Sequence, residues 1–450
     1  MTKVNLGRVR LNQDMNFIML NYLDANKKNF LKKIKKALSS RRGEKKDLSL
    51  VVKKIIKDVK MKDDAALIKY EKKFSRKKNI NSNNIKFSNL ELKAIINLLD
   101  KKTKKNIDLA YNRIFKFHQE QKFHSYKIRD NYNNTFAYIA SPIKSVGVYV
   151  PGGTANYPST VLMNCIPANI AGVKEIYMTT PSNDNIYNSA VLYAAKKCGV
   201  KEIYKIGGAQ AVAALAYGTR SVKKVDKIVG PGNQYVALAK KEVFGDVGID
   251  MIAGPSEVTI IGDNSSNPEW IAADLIAQAE HDIKSQSILV TDNRKLIKQV
   301  NSYLKKQLKS LPKQKIALAS LKSFGYSIYC KSNKQIIKII DEIAPEHLEI
   351  CTNNPEKILN KISNAGSVFL GHYSPEAIGD YLAGPNHVLP TSGSAKFSSG
   401  LSVYDFLKRH SIIKITKSGI ERLGTSVINL AKYENLHGHA NSVKIRLKGK

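Results

Sequence analysis

Acidic residues are scarce in this chain relative to basic ones. Against 73 Lys and Arg stand 37 Asp and Glu in 450 residues, a formal net charge of +36. Such a balance ordinarily points to a nucleic-acid partner. Here the lysines are scattered through every segment and gathered in no single tail, which fits a solvated basic surface and no specific nucleic acid. Only non-specific attraction to polyanions at low salt follows from the charge. Cysteine is rare as well. Cys165, Cys198, Cys330 and Cys351 are widely spaced and form no Cys-x-x-Cys pair. That argues against a thiolate metal site and for reduced core thiols in a cytoplasmic protein. No apolar run approaches the roughly 18 residues of a membrane helix, so no membrane partner is expected. The opening residues, from Met1 to Arg8, lack the apolar stretch of a secretory signal. The dinucleotide fingerprint G-x-G-x-x-G is also missing. What remains, 43% hydrophobic and 24% charged, is the composition of a globular protein. The length suggests two large domains with appendages.

The first 43 residues read as an N-terminal helical arm, with helical spacing over 17–38 and a break at Ser39-Ser-Arg-Arg-Gly43. Helical periodicity then recurs over 48–59, 63–74, 89–99 and 104–118. The texture changes near Ile143. Val146-Gly-Val-Tyr-Val150 predicts a buried strand, and strand-like runs begin again at Glu175, Glu202 and Lys227, each separated from the next by a helix. The alternation resumes with strands at Glu257, Ser287, Ser327, Leu348 and Ser367. Strands alternating with helices at short spacing predict parallel α/β sheets. The tail from about 400 reads as helix, loop, helix.

Gln278 and His281, three residues apart at the end of an apolar-periodic run, carry the sharpest chemical signal. At i and i+3 a carboxamide oxygen and an imidazole share one helix face and can converge on one cation. A zinc site normally needs about four donors. His347, Asp380, His387 and His439 are candidates for the rest. Glu346 and His347 stand side by side after Ala344-Pro345, offering two proton acceptors of different basicity, suited to two proton transfers. Three glycine-rich turns, Pro151-Gly-Gly153, Gly207-Gly-Ala-Gln210 and Gly230-Pro-Gly-Asn233, follow strand ends, where open α/β sheets bind ligands. Together they outline one pocket edge at which backbone approaches a ligand closely. His118 and His124 read as packing or surface groups, and His372 and His410 have no metal-like neighbours.

Taken in order, several stretches resemble the histidinol dehydrogenase family. They are Val146 to Gly153, Gly207-Gly-Ala-Gln-Ala211, Gly230-Pro-Gly-Asn-Gln-Tyr-Val236, Ala253-Gly-Pro-Ser-Glu-Val258 and Asp274 to His281. Ala344-Pro-Glu-His-Leu348, Gly366-Ser-Val-Phe-Leu-Gly371, Gly379 to Pro390 and Leu436-His-Gly-His-Ala440 continue the series. The resemblance covers roughly 140–445. It implies two Rossmann-like α/β domains with parallel-rich sheets, small N- and C-terminal helical arms, and an intertwined homodimer. The expected division is 1–43 arm, 44–148 with 258–398 as the first domain, 149–257 as the NAD-binding second domain, and 399–450 as a tail reaching the partner subunit. The implied reaction is the NAD-dependent four-electron oxidation of L-histidinol to L-histidine through L-histidinaldehyde, closing histidine biosynthesis. The resemblance places one zinc per subunit on Gln278, His281, Asp380 and His439, the last from the partner. His347 would be the base in both oxidations, and Glu346 would activate the water that adds to the aldehyde. Ser256, His387 and Glu434 match substrate-contacting or site-lining positions, with the zinc ligands and His347 also facing substrate; Tyr149, Gln210 and Asn233 match NAD-contacting ones. Departures are few: Ser141-Pro-Ile143 where Arg-Pro-Leu is usual, Lys396 where Arg is common, and a poorly matching first 140 residues. A zinc hydrolase on a similar scaffold is the rival class, and it gives no use to Tyr149, Gln210 and Asn233.

Overall fold

The computed structural model describes residues 19–41, 46–75, 79–152, 157–181, 187–252 and 254–448. Residues 1–18 and 42–43 of the expected arm, Gly153 of the first glycine-rich turn and Ala253 lie outside the described residues. The described chain opens with strand β1 (Asn21–Asp24) and helix α1 (Phe30–Ser39), then α2 (Lys46–Phe74), α3 (Asn89–Asn97) and α4 (Lys101–Gln119). A strand inside the expected helical stretch 17–38 is a correction: Asn21 to Asp24 pair with the edge of a sheet, and tertiary pairing overrides the local spacing. Helix α2 breaks at Asp63, where φ is 55°, so its halves match the two helices expected over 48–59 and 63–74.

Strands β2 (Tyr126–Arg129) and β3 (Thr135–Pro142) form a hairpin. The first α/β alternation runs β4 (Ser145–Tyr149), α5 (Pro158–Ala171), β5 (Glu175–Thr179), α6 (Ser189–Lys197), β6 (Glu202–Tyr204), α7 (Gly208–Tyr217), β7 (Lys227–Val229), α8 (Gln234–Val243), β8 (Gly248–Ile249). The second runs β9 (Glu257–Gly262), α9 (Pro268–Ala279), β10 (Gln286–Thr291), α10 (Arg294–Leu308), α11 (Gln314–Phe324), β11 (Gly325–Tyr329), α12 (Asn333–Ile343), β12 (His347–Cys351), α13 (Pro355–Leu359), β13 (Ser367–Leu370), α14 (Glu376–Tyr381). The tail is β14 (Leu407–Lys414), α15 (Lys417–Tyr433) and α16 (His437–Lys448).

Both large sheets are parallel. The five-stranded one has the order β6-β5-β4-β7-β8 and the six-stranded one β1-β11-β10-β9-β12-β13. In each, the first strand of the α/β alternation is central and the order reverses beside it, β4 against β7 and β9 against β12, while β1 joins the second sheet at its edge. Period-two alternation assigns the faces. Val146, Val148 and Val150 enter a core with α4, α5 and α6, while Tyr149 faces α2, α7 and α8. In the second sheet Val258, Ile260 and Leu289 pack on α9, α10 and α11; Ile261, Ile288 and Val290 pack on α1 and α12. Helices α2, α3 and α4 therefore sit on the five-stranded sheet, not with the 258–398 segment they were grouped with from sequence. Their apolar stripes specify burial but not which sheet is covered. β14 pairs antiparallel with β3 along its whole length, a strand where helix and loop were expected. Among the described residues no helix is long and apolar enough to cross a membrane.

Only residues 250–256 link β8 to β9. The link is short, so the carboxyl edge of the first sheet leads directly to the amino edge of the second. At the first edge a buried ion pair sets the loop shape. Lys240 pairs with Asp250; Lys240 Nζ donates to the Gly230 carbonyl at 3.0 Å, and Asp250 Oδ2 accepts from the Gly230 N–H at 2.7 Å. Gly230 has φ +107°, and a Cβ there would lie 2.2 Å from the Tyr149 carbonyl oxygen. Gly230→Ala is expected to cost about 2 kcal/mol or more and to lower the thermal midpoint by several degrees. An unchanged midpoint in a calorimetric scan would contradict this packing.

Candidate active site

Helix α12 ends with Ala344 in the left-handed region, and Pro345 prevents its continuation. The chain turns there into β12, delivering Glu346 and His347 to its start. Both are buried, at 6% and 4% exposure. The adjacent strand β9 begins with Glu257, and this residue's backbone holds both side chains. The Glu257 N–H donates to Glu346 Oε2 at 2.8 Å, and the Glu257 carbonyl accepts from His347 Nδ1 at 3.0 Å. A carbonyl only accepts, so Nδ1 carries the ring proton and Nε2 keeps its lone pair. Nε2 is buried and has no hydrogen-bond partner among the described residues. Burial lowers His347 to about 4, against the opposing charge of Asp380, so the ring is neutral at ordinary pH. Burial first, and then the Glu257 charge, holds the Glu346 carboxyl well above the usual carboxylate range.

Crossover helices run antiparallel to their strands, so the end of α9 returns to the edge where β9 and β12 begin. Gln278 is buried at that end, and His281 follows it, exposed. Across from them, α14 presents Glu376 and Asp380 at i and i+4, on one face. Oriented with its amide nitrogen toward Glu376, the assignment that pairs donor with acceptor, Gln278 donates to Glu376 Oε1 at 2.6 Å and Oε2 at 3.0 Å, and its carbonyl oxygen is directed away from that carboxylate. His347, Glu376 and Asp380 offer donor atoms all within 4.8 Å of one another. His387 Nδ1 donates to the Asp380 carbonyl at 3.0 Å. The charge of His281 bears on both His347 and His387. A cavity of about 320 Å³ opens beside them, lined by His347, Asp380 and His387 with Phe369 and Asn386.

The structure thus brings together Gln278, His281, His347, Asp380 and His387, with Glu346 behind them. Asp380 lies on the short helix α14. His439 on α16 and Glu434 at the end of α15 are exposed, and none of the interactions that build this cluster involves them. Ser256 is half-buried, and its carbonyl accepts from Arg41 at 3.2 Å. Sequence reasoning missed Glu376, whose four-residue spacing from Asp380 was a usable signal. It also missed Glu349, a carboxylate inside an apolar strand, which receives the Glu376 N–H at 2.7 Å. Glu349 hydrogen-bonds Asp274, and burial raises both, Asp274 to about 6.

The residues expected to meet NAD surround the carboxyl edge of the five-stranded sheet. The Tyr149 hydroxyl accepts from the Gly208 N–H at 3.0 Å, and burial pushes it to about 12. Gln210 Nε2 donates to Glu71 Oε1 at 2.7 Å, the same oxygen that accepts the Gly207 N–H at 2.9 Å. Glu71, fully buried on α2, was not foreseen. Asn233 is exposed and caps α8, accepting from the N–H groups of Tyr235 and Val236. Tyr149 and Gln210 are buried and already hydrogen-bonded, so of the three only Asn233 is exposed to a ligand.

A neutral buried ring nitrogen with a free lone pair calls for an explanation beyond packing. Beside convergent oxygen donors and a small cavity it marks an α/β enzyme acting on a small polar molecule. Comparison with known proteins narrows the class. The family model described as histidinol dehydrogenase matches residues 38–447. The histidinol dehydrogenase of Pelagibacter ubique is 54% identical over 96% of this chain and 100% of its own length. That of Bradyrhizobium diazoefficiens is 47% identical over 94% and 98%. The crystal structure of histidinol dehydrogenase from Elizabethkingia anophelis superposes with a TM-score of 0.90 at 39% identity, covering 96% of this chain and 99% of that one. The chain belongs to the histidinol dehydrogenase family, a family of oxidoreductases.

The Asp274–Glu349 pair makes stability depend on pH. Folded, Asp274 titrates at about 6; its ordinary value is 3.8. Between those values the folded state binds more protons than the unfolded one, so stability falls as pH rises through that window. Asp274→Asn removes the titration and is expected to raise stability at pH 7 by roughly 1–3 kcal/mol, with little effect below about pH 4. Denaturant melts across that range check it; an Asn variant less stable than the parent at pH 7 would contradict the burial argument.

Proposed function

We propose that the chain oxidises L-histidinol to L-histidine through L-histidinaldehyde, with NAD as acceptor in both steps, as the closing reaction of histidine biosynthesis in the cytoplasm. The observation that carries this reading is the free Nε2 of His347, held as a base by the Glu257 carbonyl and facing the Asp380 cavity. In the first oxidation His347 Nε2 takes the hydroxyl proton while hydride passes from the alcohol carbon to NAD. Water then adds to the aldehyde carbon. Glu346, whose raised basicity suits it to proton acceptance, removes the water proton. In the second oxidation His347 takes a hydroxyl proton of the hydrate as hydride leaves to another NAD. The totals balance: alcohol, water and two NAD give carboxylate, two NADH and three protons.

A divalent ion fits the site, on the chemistry of its donors. Oxygen and nitrogen donors converge there, negative charge is in excess, and the Gln278 oxygen is freed by Glu376. Gln278, His281 and Asp380 would hold zinc, joined by His439 of the partner subunit, one ion per subunit. Zinc so bound supplies a Lewis-acidic anchor for the imidazole and amino nitrogens of the substrate, fixing its orientation. His387 and Ser256 would line the substrate, with Glu434 contributed beside His439. Asn233 would face NAD, with Tyr149 and Gln210 shaping the NAD edge from behind, Gln210 held by Glu71. Support for a homodimer comes from the tail. The α15–α16 hairpin leaves Leu430 and Tyr433 at 65% and 89% exposure, with Val427 and Ile445 also open. A second copy would cover this face and use His439.

Half-reaction kinetics test the roles. His347→Asn is expected to slow oxidation of both L-histidinol and L-histidinaldehyde by about 100-fold or more. Glu346→Gln should harm aldehyde oxidation more than alcohol oxidation; equal losses would sink the division of labour. His439→Ala should contain less than one zinc per subunit. Mixed with inactive His347→Asn subunits and allowed to exchange, it should regain about a quarter of the parent activity, because half of the sites in each mixed dimer are whole. No regain despite exchange would contradict a shared site.

A further inference from the structure

Arg41 lies just beyond α1, far in sequence from every residue named at the site, yet its side chain is 1% exposed. All five of its N–H donors are engaged. Nε donates to the Lys284 carbonyl at 2.9 Å. Nη1 donates to Glu257 Oε1 at 2.7 Å and Gln286 Oε1 at 3.1 Å. Nη2 donates to the carbonyls of Pro255 at 2.6 Å and Ser256 at 3.2 Å. One guanidinium therefore fastens the entries of β9 and β10 together. It sits where the chain arrives from the five-stranded sheet, and it neutralises the buried Glu257 carboxylate.

We propose that Arg41 is a positioning residue for the acid–base pair, acting through Glu257. The inference rests on the reading of Glu346 and His347 given above. Glu257 is gripped at its side chain by Arg41 and by the Ser392 N–H at 2.9 Å. Its backbone N–H fixes Glu346 and its carbonyl fixes the His347 tautomer. The carbonyls of Pro255 and Ser256, just upstream, are gripped as well, so the orientation of the Glu257 peptide groups is set by the guanidinium. Without that fork, a buried carboxylate loses its cation next to Glu346, and the peptide groups that hold both reacting side chains are released. Lysine cannot substitute. Its ammonium is a point charge with three donors and cannot span side-chain and backbone acceptors in one plane. The substrate and NAD surfaces do not include Arg41, so the loss falls on turnover rather than on binding.

The test uses the full-length enzyme with zinc, L-histidinol and NAD. Arg41→Lys and Arg41→Ala are compared with the parent for kcat, both KM values, the pH profile of kcat and the thermal midpoint. The expected result is a fall in kcat of about 10- to 100-fold with both KM values held within about threefold, and a shifted pH profile. Millimolar guanidinium should restore part of kcat to Arg41→Ala. Arg41→Lys keeps the charge, so it serves if Arg41→Ala does not fold. Wild-type kcat in Arg41→Lys would overturn the proposal. So would a loss that rises in KM alone, or one that leaves the pH profile unchanged and resists rescue. Glu346→Gln and His347→Asn run alongside separate the two failures. Activity in those variants would remove the acid–base reading; their inactivity beside fully active Arg41 variants would remove this inference alone.

Discussion

The two backbone groups of Glu257 hold the chemistry of this chain in place. Its N–H faces Glu346 and its carbonyl faces His347, so a single residue at the start of the central strand β9 sets both partners. The site consequently forms at the amino edge of the six-stranded sheet, opposite to the carboxyl edge where open α/β sheets usually bind ligands. The geometry follows from connectivity. Strand starts supply Glu257 and His347, antiparallel crossover supplies the end of α9 with Gln278, and the chain returning past β13 supplies α14. Meanwhile the carboxyl edge of the other sheet carries Tyr149, Gly230 and the glycine-rich turns, one short link away.

Electrostatics give the arrangement its function. Carboxyl groups of Glu257, Glu346, Glu349, Glu376 and the half-exposed Asp380 gather at one end of the sheet, although acidic residues are the scarce class in this chain. Most of the abundant lysines are on the surface, and the buried Lys240 serves Asp250 beside the other sheet. Burying carboxylates costs heavily unless each finds a proton, a hydrogen bond or a cation. Arg41 serves Glu257, the Glu257 N–H serves Glu346, and protons serve the Asp274–Glu349 pair. The remaining charge around Asp380 and Glu376 makes a cation welcome. The same desolvation that raises the acids keeps His347 neutral, so one physical cause prepares the base and the donor cluster together.

Parallel strands buried on both faces are written as continuous apolar runs, which is why Val146 to Val150 and the run from Glu257 to Ile261 were readable as strands. The exposed antiparallel strands β2 and β14 carry no such run, so the small sheet was not readable. β1 hid inside helix-like spacing. The helices α2 to α4 were visible, but their stripes did not say which sheet they cover. At the site, Gln278 with His281 and Glu346 with His347 were legible because each pair is local. Arg41 and Glu257 are separated by 216 residues, and no pattern within either segment marks them as partners. Glu376 was locally visible through its spacing to Asp380, yet a lone acid on a short helix usually faces solvent.

The most direct measurement is the NADH formed per L-histidinol consumed, followed by absorbance with purified, zinc-loaded protein and excess NAD. Two NADH with L-histidine as product is the result expected of one base serving both oxidations in a single cavity. One NADH with aldehyde released, or none from folded protein that contains zinc, would contradict it.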